Sequence, residues 1–416
     1  MNIGILTYHS AYNFGANLQT LSTVSYLRNC GYDPIIVDFQ SSELERKYDI
    51  VTPSPQAQVF KQFLHLNFNL TSRCENSTEI AAEIEKANIE SVIIGSDAVV
   101  QHHSFLSRLR VSFSRKKIFR VRVIPPNYET TFPNPFWGEF LDFLEKDNVT
   151  IMMSVSCQNT DYQLFPRRIR RDIYKYLLMM NYISVRDLRT RDMMTFVSGG
   201  NLKPPITPDP VFAFNQNVSQ IPSREEIIKR YNLPEKYVLL SFHSSKTVSV
   251  RWINGLMELF SLHGIECVAF PMPTGIMFQN DLRYKIKLPL DPIDWYCLIK
   301  YSCGYIGEKM HPIVVALHNI VPFFSFDHYG INRFNLFSSK YGSKIYHILN
   351  KAEFLDNRAS SVNSHYNPPP SPAVVFDKIC NFDTNKCQKF SSQMLAEYNQ
   401  MMLDICKVLD FPRLKQ

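Results

Sequence analysis

The sequence predicts an α/β protein of two Rossmann-like units facing a cleft, and three observations carry that expectation. The chain has 416 residues, more than one hydrophobic core usually organises. Short apolar runs alternate with helical patterns, as in a parallel sheet covered on both faces. The alternation stops at "GGNLKPPITPDPVF" (199–212), dense in Gly and Pro, and starts again beyond it.

The elements follow in order. "IGILTY" is a continuous apolar strand, and Leu18, Leu21, Val24 and Leu27 then recur at helical spacing. Gly31 stands where a helix C-cap belongs, and "PIIVDF" resumes a strand. Further strands are "SVIIG" (91–95), "TIMMSVS" (150–156) and "YISVR" (182–186). Residues 98–140 break the rhythm with a basic tract and the Pro- and aromatic-rich "VIPPNYETTFPNPFWGEF", and read as an insertion or long loop beside the cleft. This makes 1–205 the first unit. The second, 206–365, runs through "YVLLSF", "IECVAF", "CGYIG" and "VPFFSF", with helices "VRWINGLMELFSLHG", "PIDWYCLIKYS" and "HPIVVALHN" between them. Residues 366–416 are a Pro-rich connector and a closing amphipathic helix, expected to pack back across the first unit.

Composition narrows the function classes. Apolar residues make up 45% and charged residues 20%, which suits a packed globular chain. The longest apolar stretch, "IVVALHNIVPFFSF", is interrupted by His318, Asn319 and Pro322 and is too short for a membrane span. The N-terminus has no basic segment before its first strand, so no signal peptide is expected; nine cysteines without CxxC spacing fit reduced thiols in a cytoplasm. Net charge is +7, unevenly spread: residues 107–123 carry seven basic residues and no acid, a patch that favours anionic partners. P-loop, dinucleotide, nucleophile-elbow and zinc signatures are all missing, so no metal or cofactor is expected, and no motif points to nucleic acid.

Candidate site residues sit where strands end, because ligands of open α/β sheets bind at the carboxyl ends of strands. "CGYIGEKMHPIVVAL" places Glu308, Lys309 and Met310 in a turn before a helix expected to open at His311–Pro312, since proline is favoured at the first helical position. Free N–H groups there, with an ammonium and an imidazole, form an anion site; the alternative is a capping histidine and a solvated lysine. "IIGSDAV" delivers Ser96 and Asp97, which bind or cap. "ISVRDLRTRDM" delivers Arg186, suited to carboxylate or phosphate or else to a surface ion pair. "LLSFHSSK" delivers His243 and Ser244.

Taken together, "IGILTYHSAYNFGANLQTLSTVSYLR", "VIIGSDAV", "YISVRDLRTRDM", "PDPVF" and "GEKMHPIVVALHNIVPFFSFD" resemble the polysaccharide pyruvyl transferase family over most of residues 1–330. The resemblance implies a glycosyltransferase-B-like pair of domains, the first on the acceptor side and the second on the donor side. It implies transfer of the pyruvyl group of phosphoenolpyruvate, a co-substrate rather than a cofactor, onto two sugar hydroxyls as a cyclic ketal. His311 is then the general acid, and Lys309, Arg186, Glu308, Met310, His243 and Ser244 hold the donor. Tyr8, Tyr12, Asn13, Gly15, Gln19, Ser96 and Asp97 hold the acceptor, with Gly15 letting the backbone approach the ligand and the tyrosines stacking on a sugar face. Position 309 is Lys where many members carry Arg, which keeps the charge and loses the bidentate fork. A polyprenyl-diphosphate-linked acceptor would set a bacterial, cytoplasmic enzyme against the inner membrane face through residues 107–123. A nucleotide-sugar glycosyltransferase and a non-catalytic glycan-binding protein of the same fold remain open at this point.

Overall fold

The computed structural model describes residues 1–113, 119–243, 247–277, 282–327, 331–333, 337–339, 342–360 and 368–411, with backbone alone at 113, 119, 331–333 and 337–339. Among the described residues, eight strands belong to the first unit: β1 (Asn2–Leu6), β2 (Asp33–Ile36), β3 (Asn69–Leu70), β4 (Ser91–Asp97), β5 (Leu109–Phe113), β6 (Phe119–Val123), β7 (Val149–Val155) and β8 (Tyr182–Val185). The second holds β9 (Tyr237–Ser241), β10 (Glu266–Ala269), β11 (Tyr284–Lys285), β12 (Gly304–Gly307), β13 (Phe323–Asp327), β14 (Ile331–Arg333), β15 (Phe337–Ser339) and β16 (Arg358–Ser360). Each unit builds one six-stranded sheet, ordered β3-β2-β1-β4-β7-β8 and β11-β10-β9-β12-β13-β16. Every pairing within them is parallel. This is the doubly wound order, written twice, with its switch point between β1 and β4 and between β9 and β12.

Local chemistry explains the elements that frame the site. The helix Phe14–Asn29 starts at Asn13, whose Oδ1 accepts from the Gly15 N–H at 3.0 Å. It ends where Gly31 takes φ +83°, the left-handed geometry a side chain would strain. Leu18, Val24 and Leu27 are fully buried on it, each worth roughly 1.5–3 kcal/mol of burial. The helix after β12 runs Met310–His318 with Lys309 at its N-cap, so it opens before His311–Pro312, and Pro312 falls inside the first turn.

Among the described residues between β4 and β7, a ribbon and short turns stand where a crossover helix is usual. β5 and β6 form an antiparallel ribbon, and the segment beyond it folds into short 3₁₀ turns. Phe136, Trp137 and Phe140 from those turns are fully buried and cover the sheet where a helix would otherwise lie. The aromatic part of the expected loop is therefore core.

The two units are joined tightly. Phe14 stacks on Trp295 at 5.3 Å, and Gln56 exchanges two hydrogen bonds with the Leu290 backbone at 2.7 and 2.9 Å. The closing helix Thr384–Asp410 crosses both: Tyr32 donates to Asp410 at 3.0 Å, while Ser391 donates to the His318 carbonyl at 3.0 Å. Among the described residues no helix is long and apolar enough to cross a membrane.

Candidate functional site

The carboxyl ends of the two sheets face a cavity of about 530 Å³, lined from the first unit by Tyr8, Asn13, Gly15, Tyr48, Asp97 and Glu129 and from the second by His243, Trp295, Lys309, Met310, His311 and Lys344. A smaller cavity of about 290 Å³ lies behind it, and Met310 and Lys344 line both.

His311 closes the larger cavity. Its Nε2 is buried and has no hydrogen-bond partner among the described residues, a state that costs about 1–3 kcal/mol until something fills it. The ring is seated directly on Gly15: a Cβ there would lie 2.0 Å from the His311 Cγ and 2.2 Å from Nδ1. The signature glycine of the first unit thus makes room for the imidazole of the second, rather than for ligand approaching its backbone. Burial holds the His311 pKa below its ordinary value; Asp97 and Asp209 pull it up, and Arg186 and Lys344 push it down.

Beneath the histidine runs a chain of charges. Arg186 donates to Asp209 at 2.8 Å and to Asp97 at 3.0 Å, and Lys344 reaches Asp97 at 3.4 Å. Gln19 donates to Asp209 at 2.5 Å, and Asp209 caps the turn Pro210–Ala213. Asp97 sits at φ +104°, a strained geometry for a side-chain-bearing residue. Its carboxylate accepts from the Ala98 N–H at 2.7 Å, and its carbonyl from the Ser156 N–H at 2.8 Å. Burial would raise the Asp97 pKa, but Lys344, Arg186 and His311 outweigh it and hold the carboxyl well below the usual range. Burial and the neighbouring guanidinium lower the Lys344 ammonium to about 8, although Asp97 and Asp187 oppose them.

The structure distributes the sequence-derived residues unevenly. Tyr8, Tyr12, Asn13, Gly15, Asp97, His243, Lys309, Met310 and His311 line the larger cavity. Arg186 lines only the smaller one, its guanidinium held between two carboxylates. Gln19 is buried on Asp209 and does not reach either cavity wall. Ser96 is buried behind the wall, its carbonyl accepting from Thr7 at 2.9 Å. Glu308 is buried too: it accepts from the His243 N–H at 2.8 Å and from the Thr247 hydroxyl, which holds those two residues beyond β9. Tyr12 is buried, with its ring stacked on Phe60 at 5.5 Å and its hydroxyl on Asp49, so its face is already covered. Ser244 lies outside the described residues, as do 114–118 of the basic tract.

Four wall residues carried no signal in the sequence reading. Lys344 opens a helix, Lys344–Lys351, that the strand pattern does not announce. Glu129 belongs to the segment read as a loop. Tyr48 and Trp295 are aromatics on helices, where spacing alone reads as core. Asp209 was visible inside "PDPVF" without a role; its place under Arg186 supplies one.

Comparison with known proteins extends the geometry. The family model for polysaccharide pyruvyl transferase matches residues 13–329. No curated protein matches. Among solved structures, a UDP-N-acetylglucosamine 2-epimerase aligns with a TM-score of 0.52 and 10% identity, over 100% of this chain and 96% of its own. A Listeria monocytogenes protein assigned as a UDP-N-acetylglucosamine 2-epimerase aligns at 0.51 and 10%, over 99% and 96%. At that identity the likeness speaks for the fold, two Rossmann-like domains of glycosyltransferase-B type. The family match runs through Gly15, Asp97, Arg186, Asp209, Lys309 and His311 and spans most of the chain, which therefore belongs to the polysaccharide pyruvyl transferase family.

Proposed function

We propose that the protein transfers the pyruvyl group of phosphoenolpyruvate to two hydroxyls of a sugar, forming a cyclic ketal and releasing phosphate. The observation that carries this reading is His311: an imidazole whose Nε2 has no partner among the described residues, wedged on Gly15 in a cavity that Lys309 and Lys344 also line. An enol phosphate must be protonated at its methylene carbon before a hydroxyl can add, and a buried imidazole is suited to deliver that proton. In the free protein burial keeps the ring neutral near pH 7. The donor carries three negative charges, so its arrival favours the imidazolium and arms the acid when substrate is present. Lys309 and Lys344 steady the carboxylate and the departing phosphate, each such contact worth about 3–4 kcal/mol in the transition state. Arg186 acts through Asp97 and Asp209, fixing their positions rather than meeting the donor.

The sugar lies on the first-unit side, where Tyr8 and Tyr48 line the cavity. A membrane-borne acceptor gives the β5–β6 ribbon its use. Its register pairs Arg110 with Arg122 and Val111 with Val121, so one face is basic and the other apolar. Val121 and Val123 are exposed, as are Phe105, Leu106 and Ile124 beside the ribbon. An anionic bilayer satisfies both halves: acyl chains take the apolar face and headgroups the arginines.

The test is phosphate release from phosphoenolpyruvate against a panel of galactosides and N-acetylated sugars, free and lipid-linked. Release is expected only with donor and acceptor together, and His311→Ala is expected to lower it 10²–10⁴-fold while phosphoenolpyruvate still binds. A near-normal rate in that variant would remove His311 as the acid.

A further inference from the structure

The proposed chemistry needs a proton acceptor opposite His311. Two acceptor O–H bonds break as two C–O bonds form to one carbon. One proton is balanced by the proton added at the methylene carbon; the other leaves with the phosphate as hydrogen phosphate. His311 supplies the first transfer, and the attacking hydroxyl must give up its proton on the other side of the cavity.

The charged groups beneath His311 are poorly suited to that task. Asp97 is locked by the Ala98 N–H, Arg186 and Lys344, and a carboxylate held so firmly is a weak base. Asp209 is occupied by Arg186, Gln19 and the Val211 N–H at 3.1 Å. On the first-unit wall the situation differs. Glu129 belongs to the short turn Tyr128–Thr130, lines the same cavity as His311 and is only 4% exposed. Its backbone is fixed from both sides: its N–H donates to Asn127 Oδ1 at 3.0 Å, and its carbonyl accepts from the fully buried Asn134 at 3.1 Å. The Ser41 hydroxyl favours the ionised carboxyl, and Ser41 is itself positioned by accepting from the Leu44 N–H at 3.2 Å. No ion pair seals it, in contrast to Asp97 and Asp209, among the described residues.

We propose that Glu129 is the general base of the acceptor side, taking the proton of the sugar hydroxyl as its oxygen attacks the carbon that His311 has activated. The assignment rests on the pyruvyl-transfer reading above. In the step, the O–H electron pair becomes the new C–O bond and the proton moves to the Glu129 carboxylate, which returns it to solvent before the next turnover.

The electrostatics agree with the geometry. Burial raises the Glu129 pKa to about 7; Ser41 and Lys47 oppose the rise, and Glu43 adds to it. The phenols of Tyr8 and Tyr48 on the same wall are pushed up, first by their own burial and then by Glu129, so they stay neutral. Near neutral pH the carboxyl therefore exchanges protons readily, which a general base requires. The sign follows: the base must be deprotonated, so its contribution to the rate grows as pH rises through about 7.

The experiment is a pH–rate profile for the wild type, Glu129→Gln and Ser41→Ala, using phosphoenolpyruvate and the panel sugar that supports phosphate release. Alongside it, carbon-labelled glutamate is titrated by NMR in the free protein. Expected are a carboxyl titrating near pH 7 that disappears in Glu129→Gln, and a rate loss of 10²–10⁴-fold in that variant with the acidic limb abolished. Ser41→Ala should shift that limb to higher pH, because the hydroxyl no longer stabilises the carboxylate. An active wild type whose Glu129→Gln variant keeps rate and limb overturns the assignment alone. So does a variant that raises only the acceptor KM, or a spectrum in which Glu129 titrates in the ordinary range. A wild type that never releases phosphate with any acceptor overturns the pyruvyl-transfer reading, and the assignment with it.

Discussion

Gly15 and His311 lie almost three hundred positions apart, and neither explains the other until the fold is known. In sequence, Gly15 reads as a ligand-approach glycine and His311 as a cap or an acid; in space, one is the seat of the other. A side chain at 15 must displace the imidazole, since the contact is with the ring itself. Gly15→Ala is expected to cost on the order of 10²-fold in turnover with little change in melting temperature, read by phosphate release and thermal unfolding together. Asp97 and Lys309 were legible because strand ends carry site residues, whereas Lys344 was not, being a single lysine after a stretch with no periodicity. The charges around His311 also fix a pH dependence. His311 is depressed and Lys344 sits near 8, so the free protein holds fewer protons at neutral to alkaline pH than the donor complex should. Donor binding is expected to take up protons, and affinity should fall as pH rises from about 6.5 to 9, by at most tenfold per unit for each proton. Calorimetry in buffers of different ionisation enthalpy measures this directly, and His311→Gln should lose the part of the uptake below pH 8.

Elements were read best where burial enforces a pattern. The strands of both sheets are apolar because helices cover both faces, and that is why β1, β4, β7 and β9 stand out in the sequence. Residues 98–148 were harder: covering a sheet with Phe136, Trp137 and Phe140 on 3₁₀ turns leaves no helical period to detect. The β5–β6 ribbon was visible only as charge, and its second, apolar face follows from the strand register. That two-sidedness makes the membrane contact testable in parts. Val121→Ser with Val123→Ser should weaken sedimentation with phosphatidylglycerol vesicles at every salt concentration. Arg120→Ser with Arg122→Ser should weaken it mainly at low salt, where screening is least. Unchanged sedimentation of both variants would remove the ribbon from the membrane account.

At the scale of the whole molecule, two doubly wound sheets bring the ends of β1, β4, β9, β10 and β12 to one cavity, and the closing helix Thr384–Asp410 holds the units in that relation. The sequence showed two units and a linker; it did not show that Asp209 of the linker would sit beneath the histidine of the second unit and tie Gln19 and Arg186 of the first to it. Such a site is complete only when both halves are in place, which suits a reaction needing an acid from one side and a hydroxyl from the other. The fold resembles that of UDP-N-acetylglucosamine 2-epimerases, so the architecture leaves donor chemistry to the residues lining the cavity. The most direct measurement is therefore mass spectrometry of the acceptor sugar after incubation with phosphoenolpyruvate and, separately, with UDP-sugars. Phosphoenolpyruvate is expected to give the mass gain of a pyruvate ketal, lost in His311→Ala, and the nucleotides no change. Addition of a hexose from a UDP-sugar, with phosphoenolpyruvate untouched, would contradict pyruvyl transfer.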